Sequence, residues 1–418
     1  MDLDSYERGL LEGGGGAALA MRVLVESARV LGAKRLVPIR SAHIDSCLYH
    51  GDSGTLFAER LVELGARVAV PTTLNVGALD LLHAGLTRLE PAASSMAHRL
   101  MMSYLAMGAR PTWTCAPYQA GHRPRAGEDV AWGESNAVAF CNSVLGARTN
   151  RYGDFLDICA AITARAPLTG LHLPENRLAR ILIDASAVPK SFWRDDIAYP
   201  ILGAWLGRAV GQQVAAIEGI GHPTEDQLKA LGAAAASSGS VGLFHVIGVT
   251  PEAPSRSIAF GNLPPKKIIP LNLGALAASR AGLSTASRSA GEPIDAVAIG
   301  SPHLSSDELR TLDRLLGARR CSKPLYACTG RHALEALRPE GVIERLRNRG
   351  VTVVVDTCVV VTPVLPEGAG VLVTNSGKFA HYAPQNTGYD VVFASLIECI
   401  ESAVRGTLHL EPDALHET

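Results

Sequence analysis

Apolar positions in the first forty residues recur at helical spacing, through ALAMRVLVESARVLGA, and predict an amphipathic helix. The Gly13–Gly16 run before it reads as a loop. It follows no strand and lacks the lysine of a phosphate cradle. RLVPIRSAHI then reads as a strand ending at Ser41, Ala42 and His43, GTLFAERLVELG as a helix, and ARVAVPTTLN as a strand and loop. From about residue 290 the alternation is cleaner. DAVAIGSPH, PLYACTGR, VTVVVDTC and GVLVTNSGK are strands, and SSDELRTLDRLLGA, capped by Ser305 or Ser306, and VIERLRNRG are helices between them. Strands alternating with helices predict an α/β fold of three α/β/α layers with mostly parallel sheets.

The middle of the chain is rich in small residues, as in QLKALGAAAASSGSVGLFHVIGVTPEA, so its helices should pack closely on neighbouring backbone. PSRSIAFGNLPPKK, followed by SRAGLSTASRSAGEP, is the best candidate for a domain boundary. It separates a catalytic region over 1–285, expected to hold two intertwined subdomains, from an α/β domain over 286–418. In the latter, each strand ends on chemically active residues: Ser301 and His303, Cys328 and Arg331, Cys358, and Asn375 to Lys378. Ligands of open α/β sheets sit beyond the carboxyl ends of strands, so these positions are the first pointer to a site.

Composition narrows the function. Of 418 residues, 39 are Lys or Arg and 40 Asp or Glu, so there is no excess positive charge to hold a nucleic acid. The acidic start MDLDSYERGL is no signal peptide. No apolar run is long enough to span a membrane, which leaves a cytoplasmic location as the expectation. Eight cysteines are scattered without a CxxC pair, against a zinc ribbon or a disulfide framework. They are either buried small apolar residues or, for a few, metal ligands brought together by folding. Residues 113–151 are densely polar and include Cys115, His122, Arg123, Arg125, Glu134, Asn136 and Arg148. They read either as a solvated loop and capped helix or as a cradle for a carboxylate. Neither GxSxG nor HExxH is present, against a hydrolase of either type.

SAHIDSCLYHGDSG, VPTTLNVGALDL, TCAPYQAGHRPRAGE, WGESNAVAFCNSVLGARTNR, EGIGHPTEDQLKALGAAAASSGSVGLFHVIGVTPEA, IGSPHLSSDEL, VDTCVV and TNSGKFAHYAP occur in that order. Together they resemble the catalytic domain of the aconitase X family across nearly the whole chain. The resemblance implies a hydro-lyase that dehydrates a small hydroxy acid with an iron–sulfur cluster or a mononuclear iron. It also implies a separate small β-rich subunit that closes over the site. Cys115 and Cys358 match the family's cluster cysteines. The third falls in a Gly-Cys-Pro-His motif that here reads Gly300, Ser301, Pro302, His303. Serine is a hard donor and a poor match for iron held by thiolates. Either the cluster is smaller, the metal is a single iron, or another group is the third ligand. Cys47, in a motif loop, is preferred for that role over Cys328, and Cys141, Cys159, Cys321 and Cys399 are read as buried.

Dehydration needs a base, and Ser376, Lys378 and His43 are the candidates. Gly377 between the first two is read as leaving room for substrate. Ser41, Thr72, Thr73, Asn75, Asn136, Arg148 and Asn375 are candidates for binding the substrate, and His381 and Tyr382 for supporting them. Within the family, the Ser301 departure favours the branch that converts cis-3-hydroxy-L-proline to Δ1-pyrroline-2-carboxylate. Mevalonate 5-phosphate is the alternative substrate. A degenerate subunit without iron is the non-enzymatic alternative.

Overall fold

The computed structural model describes residues 1–153, 155–368 and 370–411. Its strands are β1 (Leu36–Pro38), β2 (Ala42–Ile44), β3 (Thr72–Leu74), β4 (Ala131–Trp132), β5 (Arg165–Pro167), β6 (Ile181–Asp184), β7 (Ala215–Glu218), β8 (Phe244–Val246), β9 (Lys267–Pro270), β10 (Ala296–Leu304), β11 (Leu325–Thr329), β12 (Val351–Val355), β13 (Val371–Thr374) and β14 (Asp390–Phe393). Three parallel sheets follow one another along the chain, in the orders β3-β2-β4, β8-β7-β6-β9 and β12-β11-β10-β13-β14, and among the described strands the β1–β5 pair is antiparallel. The fold is therefore the α/β architecture that the alternation predicts.

The third sheet shows why its strands are so apolar. Val297, Ile299, Leu325, Ala327, Val353, Val355 and Val373 face an outer core with the helices Ser306–Leu316, Val342–Asn348 and Leu396–Arg405. Their alternates Ala296, Ala298, Tyr326, Cys328, Val354 and Leu372 face an inner core shared with the second sheet's helices. Strands buried on both faces lose the alternating pattern of half-exposed ones.

Between these sheets run the helices Ala198–Val210 and Glu225–Gly239. Their small residues are a packing requirement. A Cβ on Gly203 would lie 2.2 Å from the Leu231 carbonyl oxygen, and one on Gly239 would lie 1.9 Å from that of Gly207. Only glycine allows backbones to approach this closely.

Three sequence expectations are corrected. RLVPIRSAHI is two strands in different sheets, broken at residues 39–41. PSRSIAFGNLPPKK is no boundary, because β9 follows it and completes the second sheet; the join to the third sheet lies in residues 282–295. Within 1–285 the strands of the sheet β3-β2-β4 all precede those of β8-β7-β6-β9 along the chain. Ser305, not Ser306, caps the helix Ser306–Leu316, with Glu308 closing a capping box.

Candidate active site

The first and third sheets turn their carboxyl ends toward each other. The backbone N–H of Gly77, past β3, donates to the carbonyl of Asp356, past β12, at 2.8 Å. Asp80 accepts from Val355 N–H at 3.0 Å. Cys115 lies on the segment that runs beside β3, where Thr114 N–H donates to the Leu74 carbonyl. Cys358 follows β12. Across this seam the N–H of His303 donates to Cys115 Sγ at 3.2 Å.

Both cysteines are buried and close enough to affect each other's charge. Burial, with Glu134 nearby, pushes the Cys115 thiol up to about 12, against the pull of Lys378. Cys358 is shifted the other way. The Cys328 thiol donates to its sulfur and holds it below the usual thiol range, helped by Lys378 and by a hydrogen bond with Ser301, while burial opposes. Cys328, buried and set beside Cys358, goes well above its ordinary value. Of this pair, Cys358 is the sulfur that gives up its proton more readily and Cys328 the one that keeps it. Both cysteine turns carry strain: Trp113 and Asp356, each two residues upstream, adopt φ of 43° and 62°. Such left-handed non-glycine residues cost about 1–3 kcal/mol each and cluster at functional sites. A bidentate pair with Arg331, at 2.6 Å through both oxygens, holds the Asp356 carboxylate.

Lys378 reaches across the seam to form an ion pair with Glu134, the N-cap of the helix Ser135–Phe140. Burial alone would lower the Lys378 pKa, but Glu134 and Cys115 more than offset it and leave it raised. Glu134 is pushed up by burial, yet Lys378 and the helix N–H groups outweigh that and hold it low. Lys378 is thus a fixed cation, not a base at neutral pH. Ser376 is committed to structure. Its hydroxyl donates to the Ser301 carbonyl and caps the helix Gly377–Thr387 through Phe379 N–H. With Asn375, Ser301 and Gly300 it lines a small cavity of about 50 Å³. Gly377 does not open room for substrate: a Cβ there would lie 2.9 Å from that of Ala234.

A second polar group lies within the first sheet. His43 Nδ1 is 2.9 Å from Thr73 Oγ1, which is 2.7 Å from His122 Nδ1, and His122 Nε2 is 2.8 Å from Ser41 Oγ. Burial, then the neighbouring His122, lowers His43 well below its ordinary value; burial and Arg110 pull His122 down to about 4. His43 Nε2, Asn75 Oδ1, Asn136 Oδ1 and Arg148 Nε are buried without a hydrogen-bond partner. Buried polar atoms without a partner are uncommon in folded proteins.

Other candidates are placed elsewhere. Thr72 Oγ1 closes a turn onto the Val70 carbonyl. Cys47 is directed at the carbonyls of Ile44, Asn75 and Val76, at 3.3, 3.4 and 3.8 Å, with Asp45 and Asp157 raising its pKa after burial. A thiol whose single proton is shared among three carbonyl acceptors is a structural staple, so the preference for Cys47 over Cys328 is reversed. His381 is exposed and stacks edge-on against Tyr382. Glu134, His122 and His303 carry more of the site than the sequence reading gave them. His303 is held by Thr114 at 3.0 Å and Thr357 at 3.1 Å. Each of the three lies in a polar motif, but only the fold shows which partner it faces.

An open cleft of about 460 Å³ lies beside this seam, lined among others by Tyr118, Arg123, Glu225, Asp226, Asp307, Arg310 and His332. Its arginines are already paired, Arg123 with Glu225 and Arg310 with Asp307 and Glu340.

Comparison with known proteins agrees with this geometry. The profiles of the aconitase X first, second and third domains match residues 1–175, 179–280 and 294–405. The chain belongs to the aconitase X family. It is 45% identical to a cis-3-hydroxy-L-proline dehydratase of Pseudomonas aeruginosa, over 97% of this chain and 70% of that protein. The dehydratase of the same name from Hypocrea jecorina is 39% identical, over 97% and 69%. A phosphomevalonate dehydratase large subunit of Methanothermobacter thermautotrophicus is 36% identical, over 94% and 96%. The crystal structure of holo-form aconitase X from Thermococcus kodakaraensis superposes with a TM-score of 0.85 at 32% identity, covering 96% of this chain and all of that one. Among the described residues no helix is long and apolar enough to cross a membrane.

Proposed function

We propose that this chain is the large subunit of a hydro-lyase that dehydrates cis-3-hydroxy-L-proline to Δ1-pyrroline-2-carboxylate. The observation that carries the reading is the convergence of Cys115, Cys358 and a fixed Lys378 cation at one inter-domain seam. Two relatives that share this whole length are named for that dehydration. The cleft supports an amino acid over a phosphorylated acid. Its described lining carries Glu225, Asp226 and Asp307 against two arginines already engaged by carboxylates, which suits an ammonium group better than a phosphate dianion.

Two buried cysteines at one seam, Cys358 with its thiol held below the usual range, are soft donors of the kind that hold an iron–sulfur cluster. Among the described residues no group of three or more His, Cys, Asp or Glu is placed to hold an ion by itself. Cys115 and Cys358 would hold the cluster, with Cys328 and Ser301 beside Cys358. The cluster would supply the Lewis acid that dehydration needs at the departing hydroxyl.

The chain's own residues do the rest. Lys378 binds the substrate carboxylate and stabilises the charge that develops when the α-proton leaves. Glu134 keeps it protonated and in place. Among the three candidates for the base, His43 is the one with a neutral ring and an unpartnered nitrogen, so the proton is exchanged at its Nε2. Asn75, Asn136 and Arg148 supply the unpaired groups that orient the ligand. A separate small subunit completes the site, a reading supported by relatives that are named large subunits and covered at 96–98% of their length. The eight cysteines are all free thiols, which supports a cytoplasmic setting.

The test is turnover of anaerobically prepared protein, co-expressed with a small subunit, on cis-3-hydroxy-L-proline and on mevalonate 5-phosphate. Turnover of the first alone, with bound iron and sulfide, supports the reading. Turnover of the second alone overturns the substrate assignment. Iron-free protein inactive on both overturns the dehydratase.

A further inference from the structure

The hydrogen-bonded row through the first sheet has a property that its members lack individually. Thr73 Oγ1 contacts two ring nitrogens, His43 Nδ1 and His122 Nδ1. Among the described residues no other hydrogen-bond partner of this hydroxyl is found. A hydroxyl has one proton to donate. It goes to one Nδ1, which must be bare, while the other Nδ1 carries a proton and donates back to the oxygen. In neutral rings this fixes opposite tautomers on the two histidines. The outer link repeats the logic, since His122 Nε2 meets the Ser41 hydroxyl at 2.8 Å.

We propose that His43, Thr73, His122 and Ser41 form a neutral proton wire that lets the buried Nε2 of His43 exchange a proton with the protein surface during the dehydration. This rests on the reading of His43 as the group that handles the substrate proton. When Nε2 of His43 takes up a proton, its Nδ1 proton passes to Thr73 Oγ1. The Thr73 proton passes to His122 Nδ1. The His122 Nε2 proton passes to Ser41 Oγ, and the Ser41 hydroxyl proton leaves to water. One proton enters, one leaves, and neither ring keeps a charge. The tautomers of both rings have exchanged, which prepares the wire for the reverse transfer.

The surroundings suit a neutral wire. His43 is fully buried, Thr73 is 2% exposed and Ser41 is 7% exposed. Trp132 packs against both rings, with centroids 5.6 Å from His43 and 5.0 Å from His122. A charged ring there would be poorly solvated, and the Arg110 cation disfavours it further at His122. At the inner end, Nε2 of His43 has no protein partner, as a terminus that must meet a ligand requires.

Histidine ring nitrogen NMR on ¹⁵N-labelled chain reads the tautomers directly and needs neither substrate nor cluster. Assignment uses His43→Gln and His122→Gln. The expected result near pH 7 is two neutral rings, one protonated at Nδ1 and the other at Nε2. Thr73→Val, which removes the hydroxyl at nearly equal volume, should abolish this opposition, and Thr73→Ser should keep it. In the holoenzyme, Thr73→Val should lower kcat about 10-fold or more with little change in KM, and Thr73→Ser should restore it. Matching tautomers, a charged ring, or a Thr73→Val enzyme of unchanged kcat overturns the wire. Full turnover by His43→Gln, with opposed tautomers in the unsubstituted chain, instead overturns the reading of His43 on which the wire's role rests.

Discussion

The first and third sheets are both parallel and both present chemistry at their carboxyl ends, yet they are built differently. The third has five strands of four to nine residues, sealed between two apolar layers. Cys358 and Lys378 follow strands of this sheet, which is held by its parallel ladders and by apolar packing on both faces. The first has strands of two or three residues, too short to be fixed by their ladders. It is held by buried side-chain bonds. Asp157 accepts from Asp45 N–H, Ser46 N–H and the Ser46 hydroxyl at 2.7–3.0 Å, and the His43–Thr73–His122 row ties the strands to the covering loop. A sheet pinned by polar groups can carry buried, uncharged acid–base chemistry, whereas one pinned by valines serves to hold ligands still.

The largest effect that sharpens this contrast is at the seam. Cys358→Ala and Cys115→Ala should each lower bound iron at least about 10-fold and reduce turnover by roughly 10³ or more, as iron counting and kinetics would show. Cys47→Ala should keep its iron; loss of iron there would restore Cys47 as a ligand. Next, Lys378→Met should cut kcat/KM by about 10²–10³, while Glu134→Gln, which leaves the cation without its counter-charge, should cost less and weaken binding.

Stability separates the two sheets further. Leu372→Ala in the third sheet removes a fully buried side chain and should cost about 2–5 kcal/mol in denaturant unfolding. Ser46→Ala should cost about 1–3 kcal/mol, by leaving part of the Asp157 carboxyl without its donor. If both cost the same, the distinction between a packed frame and a hydrogen-bonded one fails.

The smallest effect is in pH. The unfolded His122 ring titrates near 6.5 and the folded one near 4. In that window the unfolded chain binds the extra proton, so stability is complete above about 6.5 and falls as pH drops toward 4. The contribution is at most about 3 kcal/mol. In His122→Gln the pH slope should flatten, and an unchanged slope would show that other groups set it.

How legible the site was depends on the kind of residue. Four of the third sheet's five strands, the capped helix after Ser305 and the small-residue helices could be read directly, because burial on both faces and capping leave marks in local sequence; β14 was missed. Cys115 and Cys358 were legible only through family motifs, since a separation of 243 positions along the chain erases any spacing signal. Cys47 and Gly377 misled for a related reason. Each lies in a motif beside the site, but one faces three carbonyls and the other packs against Ala234.

By itself the sequence determined the periodicities, hence the α/β class, and the inventory of groups available for chemistry. Tertiary structure decided which of those groups meet. It made Lys378 a fixed cation by bringing Glu134 to it from another domain, and it lowered the Cys358 thiol by setting Cys328 beside it. It left His43 neutral, with one nitrogen free, by burying it against Trp132. Protonation and reactivity depend on burial and on neighbours within a few ångströms, and such neighbours are supplied by the fold across hundreds of residues of chain.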